Sequence, residues 1–422
     1  MLELSEIVYL SLATVFCFMM TWGVGANDLA NVMSTTMGSK AITVRQAMII
    51  AICFEFLGAF FGGTGVTETM RDGIIEISQL DNNPEILIEG MLAILFAGTI
   101  WMNVASYFGV PVSITNAIVG SMVGFGCVVL GVDSIHWHQV GYIGISWITS
   151  PMISGFIGYI LIKSIQILIF GKKDPIKRAK QFLPFYLFLV GLVLAFITVF
   201  KGIAHFDIEL SWVADLIIIT VSALTITLFG LFLLQRINTD SINKRRERFQ
   251  IIEQQFSILV AFTACAMVFA HGANDVSIAV GPLTVIYSLV HHVKSFDAGS
   301  YPAWITLLGC IGVISGLMMY GRKVIETVGS SITALTPSRA FAATLSAATT
   351  VVISTSTGIP VSATQTLVGA VLGVGLARGI GALNLVVIRN IFMSWIITLP
   401  ASSLLTIGSY HLIHYLTTTF NG

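Results

Sequence analysis

The sequence predicts an all-α polytopic membrane protein: about 12 transmembrane segments in two inverted-topology repeats, with interrupted helices and possible re-entrant hairpins. Three observations lead there. The 422 residues are 55% hydrophobic and only 10% charged, whereas soluble domains carry roughly 25% charged residues. Apolar runs of about 20 residues, the length that crosses a bilayer, follow one another along the chain. The tetrapeptide Gly25-Ala26-Asn27-Asp28 recurs as Gly272-Ala273-Asn274-Asp275, each copy near the end of such a run.

In order, the apolar runs fall at 7–30, 47–66, 86–108, 111–130, 142–170, 182–203, 212–235, 256–280, 302–321, 339–358, 360–378 and 384–408. The fifth contains Ser150-Pro151, which predicts a short interfacial helix followed by a spanning one. The first has no basic n-region, since Glu3 and Glu6 are its only early charges, and reads as a retained helix rather than a signal peptide. The five cysteines stand singly inside apolar runs and read as small core residues. Zero net charge and the lack of a long basic run argue against a nucleic-acid partner.

Positive charge gathers in two stretches. One is Gly171–Gln181, with Lys172, Lys173, Lys177, Arg178 and Lys180; the other is Arg236–Glu253, with Arg236, Lys244, Arg245, Arg246 and Arg248. The positive-inside rule places both in the cytoplasm. Counting crossings from them puts the N- and C-termini outside a cytoplasmic (inner) membrane. The expected organisation is a first repeat at 1–170, basic loops with two linking helices at 171–253, and a second repeat at 254–422.

The repeat extends beyond the tetrapeptide. Pro111-Val112-Ser113-Ile114-Thr115-Asn116 returns as Pro360-Val361-Ser362-Ala363-Thr364-Gln365, and Glu68-Thr69 has a counterpart in Glu326-Thr327. The aspartates Asp28 and Asp275 are 247 residues apart and the serines Ser113 and Ser362 are 249 apart. Seven expected crossings separate the two GAND copies, an odd number, so the copies face opposite ways. Inverted repeats with broken helices point to a secondary transporter whose site lies near mid-membrane.

An aspartate at mid-helix costs roughly 2.5–3.5 kcal/mol on insertion scales. Gly25, Asn27, Asp28 and Asn31 make a poor lipid-facing helix. Glycine permits an unwound turn, and freed carbonyls with carboxylate and amide oxygens form a cage for a hard cation such as sodium. A proton on the carboxylate is the alternative. Simple capping of water-facing helix ends would explain one such aspartate, but not its recurrence in inverted copies.

The Pro-Val-Ser-x-Thr blocks read as helix starts inside the membrane, where Ser113 or Ser362 caps the next turn. A helix beginning there aims free N–H groups inward, and the hydroxyls of Ser113, Thr115, Ser362 and Thr364 add donors. Such donors hold an oxyanion by neutral hydrogen bonds. No Lys or Arg stands at mid-depth in a repeat segment; Lys163 is near enough to the basic stretch to snorkel. A multivalent anion therefore needs cations held at Asp28 and Asp275 before it is tolerated there.

Glu55 is a third acid in an apolar run. It aligns with Val313 in the other repeat, so its expected role is in cation binding or gating. His271 precedes the second GAND and reads as a helix-packing residue. His136, His138, His291 and His292 fall in expected outer loops without metal-ligand spacing. No GxxxxGK[ST] follows the glycine-rich stretch 369–381, and no nucleophile–base constellation appears, so neither a nucleotide site nor an enzyme is indicated.

GANDLAN, HGANDVSIAVGPL and the two PVSxT blocks resemble the inorganic phosphate transporter (PiT) family. So do Thr43-Val44-Arg45-Gln46-Ala47, Val66-Thr67-Glu68-Thr69-Met70 and Gly321-Arg322-Lys323-Val324. The resemblance covers most of the chain outside 171–253. It implies phosphate uptake coupled to sodium or protons, no covalent cofactor, and a homodimer in membrane lipid. It implicates Asn27, Ser113, Thr115, Asn274, Ser362 and Thr364 in phosphate binding, and Asp28 and Asp275 in binding sodium. Asn31, Ser277 and Glu55, which matches a family glutamate, are placed with the cation ligands. Two departures stand beside the threonines: Asn116 and Gln365 occupy positions where many members carry histidine, and are placed with the substrate ligands. Met91 and Thr344 stand where eukaryotic members often carry glutamate. The expectation is a cation-coupled phosphate symporter working by alternating access. A transporter of sulfate or another tetrahedral oxyanion, and a phosphate receptor that does not translocate, are the rival readings.

Overall fold

The apolar runs fold as helices across residues 4–75, 84–197, 211–237, 245–293 and 301–421, which the computed structural model describes. Helices α1 (Leu4–Val24) and α2 (Ala30–Gly38) form one rod through a five-residue turn at Gly25–Leu29. Helix α3 (Val44–Gly62) starts from a capping box, in which Thr43 and Gln46 satisfy each other's backbone N–H. Short α4 (Thr64–Asp72), α5 (Pro84–Phe108), α6 (Ile114–Phe125) and α7 (Trp137–Ile165) follow. Helices α8 (Pro175–Ile197) and α9 (Trp212–Gln235) pack on each other. The order then recurs. Helices α10 (Arg245–His271) and α11 (Ser277–Val290) are joined by a five-residue turn at Gly272–Val276. After them come α12 (Ala303–Ser331), α13 (Pro337–Ser356), α14 (Ala363–Leu376) and α15 (Leu385–Asn421).

Nine helical stretches among the described residues are long and apolar enough to cross a membrane. The runs expected at 111–130 and 360–378 are shorter helices, Ile114–Leu130 and Ala363–Leu376. Gly109 (φ +67°) and Gly358 (φ +74°) turn the chain after α5 and α13. Extended Ser113 and Ser362 then start α6 and α14. The run at 339–358 forms α13, which is rich in Ser, Thr and Ala and is largely buried by protein rather than apolar enough to face lipid.

One expectation is corrected. Ser150-Pro151 does not divide the fifth run; α7 passes unbroken through Pro151. A proline inside a helix frees one carbonyl, and neighbouring helices commonly hold such sites in place. Here α14 lies directly against that stretch of α7. The end of the 182–203 run beyond Ile197, Glu3 and Lys244 lie outside the described residues, as do the side chains of Glu326 and Thr327.

The two halves interlock. Helix α14 of the second half packs on α7 of the first, and α6 of the first packs on α15 of the second. Serines mark both crossings. The Ser146 hydroxyl donates to the Pro360 carbonyl at 3.4 Å, and that of Ser394 to the Pro111 carbonyl at 2.9 Å. The extended segments ahead of α6 and α14 are therefore pinned by the opposite half and brought together at the centre of the bundle.

Candidate functional site

Each GAND sequence forms one turn of π-helix, Gly25–Leu29 and Gly272–Val276, inside a helix that continues beyond it. The expected unwinding thus takes the form of a widened turn, a feature often found at functional sites. Glycine is required because another helix comes so close. A Cβ on Gly25 would lie 1.7 Å from the Val313 carbonyl oxygen of α12, and one on Gly272 would lie 2.3 Å from the Glu55 carbonyl oxygen of α3. No side chain fits at such separations.

The asparagines of both turns clasp the extended backbone ahead of α6 and α14. Asn27 donates Nδ2–H to the Val110 carbonyl at 2.9 Å and accepts from the Val112 N–H at 3.0 Å. Asn274 makes both bonds to Val361, donating to its carbonyl at 2.6 Å and accepting from its N–H at 3.2 Å. Both amides thereby replace the partners that an extended strand would lack inside a helical bundle. Ser113 and Ser362 cap the helices that follow, accepting from the N–H groups of Asn116 at 3.3 Å and Gln365 at 3.2 Å. The Ser113 hydroxyl donates to Asn116 Oδ1 at 3.2 Å.

The threonines cross between halves. Thr364 donates to Asp28 Oδ1, and the Ile114 N–H donates to Oδ2 of the same carboxylate at 3.1 Å. Thr115 donates to the Val361 carbonyl at 2.9 Å. On the other side, Asn274 Nδ2–H donates to Asp275 Oδ1 at 2.8 Å. Residues 361–364 therefore connect the surroundings of both aspartates. Each aspartate is only 1% exposed.

Several polar atoms here are buried without a hydrogen-bond partner. They are both amide atoms of Asn31, Ser277 Oγ, Glu55 Oε2 and Gln365 Oε1. Leaving such a group unsatisfied costs about 1–3 kcal/mol each. All belong to residues singled out in the sequence, and most are oxygens of the kind that ligate a hard cation. Among the described residues, no Lys or Arg is buried. The arrangement can hold cations on carboxylate, amide and hydroxyl oxygens, beside helix starts whose neutral donors suit an oxyanion.

His271 adds what the sequence reading did not anticipate. Its Nδ1 lies 2.7 Å from Glu55 Oε1, and its Nε2 lies 3.1 Å from Asp275 Oδ2, with all three side chains buried. The signal was present but divided. Glu55 and His271 both break the repeat, since their counterparts are Val313 and Val24. The two exceptions meet.

The profile of the phosphate transporter family matches residues 24–406. A candidate phosphate permease from Haemophilus influenzae is 45% identical over 412 residues, covering 97% of each chain. A second from Pyrococcus furiosus is 38% identical over 391 residues, covering 92% of each. A solved structure described as the sodium-dependent phosphate transporter superposes with a TM-score of 0.86 at 34% identity, covering 97% of this chain and 99% of the other.

Proposed function

The chain belongs to the phosphate transporter family, and from that premise we propose that it is a symporter carrying inorganic phosphate across the cytoplasmic membrane together with sodium. The observation that carries this reading is the pairing of two deeply buried aspartates with the unpartnered oxygens of Asn31, Ser277 and Glu55, and no buried Lys or Arg among the described residues. A phosphate placed at the starts of α6 and α14 meets neutral donors and two negative carboxylates. Unscreened, the carboxylates repel it; with sodium at Asp28 and Asp275 they attract it. The likeness to a sodium-dependent transporter favours sodium over a proton as the coupled ion.

In this reading, Asp28, Asn31, Asp275, Ser277 and Glu55 form the cation side. Ser113, Thr115, Asn116, Ser362, Thr364 and Gln365 form the phosphate side. Asn27 and Asn274 hold the two extended segments in register. Residues 1–170 and 254–422 act as inverted halves, and rocking of one against the other gives alternating access. Both termini lie outside. Glu6 and His292, 3.5 Å apart, put the start of α1 and the end of α11 at the same membrane face, in keeping with that topology. The transporter works as a homodimer in lipid.

The test is uptake of radiolabelled phosphate into proteoliposomes with and without an imposed sodium gradient, with sulfate as competitor. Sodium-driven accumulation that sulfate leaves unchanged is the expected result. Equal competition by sulfate transfers the site to tetrahedral oxyanions in general, and binding without accumulation makes the protein a receptor.

A further inference from the structure

A cavity of about 550 Å³ opens where α7, α10 and α13 end at the face that carries the basic stretches, a volume typical of ligand sites. Arg246, Phe249 and Gln250 line it from α10, Gln166 and Phe170 from the end of the α7 rod, and Arg339 from α13. We propose that this cleft binds a phosphoryl anion between Arg246 and Arg339, as a station separate from the buried aspartates.

The charge balance favours an anion. Glu253 is the one acid among the lining residues described, and both of its oxygens are engaged at the start of α13. Oε2 accepts from the Ser338 N–H at 2.8 Å and Oε1 from the Ser338 hydroxyl at 2.9 Å. Two guanidinium groups, meanwhile, converge on one neutral oxygen. Arg339 donates to the Ala334 carbonyl at 2.8 Å, and Arg378 reaches the same oxygen at 3.5 Å while donating to Thr333 Oγ1 at 3.3 Å. Two cations sharing a carbonyl repel each other, and a phosphoryl group offers paired oxygens that accept the parallel N–H bonds of a planar guanidinium while its negative charge offsets both cations. Phe170 and Phe249 add an apolar wall, their rings stacked at 5.2 Å with an interplanar angle of 2°.

Polar side chains also stand between the cleft and the buried site. Thr344, one and a half turns along α13 from Arg339, meets Thr35 of α2, with their hydroxyl oxygens 3.2 Å apart. Thr35 stands roughly 10 Å along the helix from Asp28. A phosphoryl group could reach the cleft from two sources: inorganic phosphate on its way to the cytoplasm, or a phospholipid headgroup of the inner leaflet. The first source rests on the symport reading; the anion chemistry of the cleft does not.

The experiment compares the full chain with an Arg246→Gln/Arg339→Gln double variant. Equilibrium dialysis measures radiolabelled phosphate binding with and without sodium, and native mass spectrometry counts phospholipid retained from bilayers containing phosphatidylglycerol. Sodium-independent phosphate binding that weakens about tenfold in the double variant, the scale of a lost charge-assisted bond, identifies free phosphate. Retained anionic lipid that the double variant loses identifies a headgroup. If neither quantity differs between the two proteins, the proposal is overturned. Sodium-stimulated binding belongs to the buried site and is expected in both proteins. Its absence counts against symport, whereas the cleft stands or falls on the comparison with the double variant.

Discussion

Thr364 donates its hydroxyl proton to Asp28, 336 positions earlier in the chain. The same carboxylate accepts the Ile114 N–H, so one buried acid holds the starts of both α6 and α14. Movement of one half against the other must alter these bonds, and a cation that competes for the carboxylate is thereby coupled to the helix starts where phosphate is proposed to bind.

Replacing Thr364 with Val removes a hydrogen bond to a charged acceptor, an interaction worth about 1.5–3 kcal/mol. Half-saturation of phosphate uptake is expected to rise by tenfold or more, and Thr364→Ser is expected to restore it. Kinetics in proteoliposomes decide, and a Val variant with native half-saturation removes Thr364 from the site.

Asp28→Asn and Asp275→Asn are each expected to abolish concentrative uptake while leaving elution volume and circular dichroism unchanged. Asparagine keeps the size and one acceptor oxygen but not the charge. Accumulation at the native rate by either variant contradicts the assigned role.

Ser277 separates a ligand from a structural group. Its hydroxyl is buried without a partner, so Ser277→Ala loses no hydrogen bond and is expected to keep or raise the melting temperature. Sodium half-saturation is expected to worsen several-fold. A drop in melting temperature with unchanged sodium dependence assigns Ser277 to packing instead.

Close approach at the first π-turn makes Gly25→Ala destabilising by about 1–3 kcal/mol, the usual range for overpacking. Gly141, on the exposed start of α7, has no neighbour within 4 Å of an added Cβ. Gly141→Ala should be neutral or stabilising by up to about 1 kcal/mol. Thermal unfolding of the two purified variants tests the contrast.

Glu55 and His271 form a buried pair where the other half has two valines. Removing His271 strands the buried Glu55 carboxylate, at a cost of about 3–5 kcal/mol, whereas removing Glu55 leaves His271 its contact with Asp275. The double change Glu55→Val with His271→Val copies the arrangement at Val313 and Val24, and is expected to be more stable than His271→Val alone. Unfolding midpoints that simply add across the cycle show that the two residues act independently.

Much of this was legible in the sequence because membrane insertion makes polar residues conspicuous. Asp28 and Asp275 stand out in apolar runs, and the prolines and serines at 111–113 and 360–362 mark helix starts by their own chemistry. Other features left no such trace. Whether Gly25–Leu29 unwinds or widens into a π-turn depends on how closely Val313 approaches, a tertiary fact. Pro151 signals a break that packing against α14 overrides. His271 reads as a packing residue until the fold delivers Glu55 from α3, because the two acquire meaning only as a pair.

Cations complete the anion site in this mechanism, so the most direct measurement is equilibrium phosphate binding to the purified protein as sodium is raised from zero. Linkage requires phosphate affinity to climb with sodium, and sodium affinity to climb equally with phosphate. The predicted result is a steep rise in the native chain and a flat response in Asp28→Asn. Phosphate binding of the same strength at zero and at saturating sodium, with no dependence on pH in its place, contradicts the mechanism.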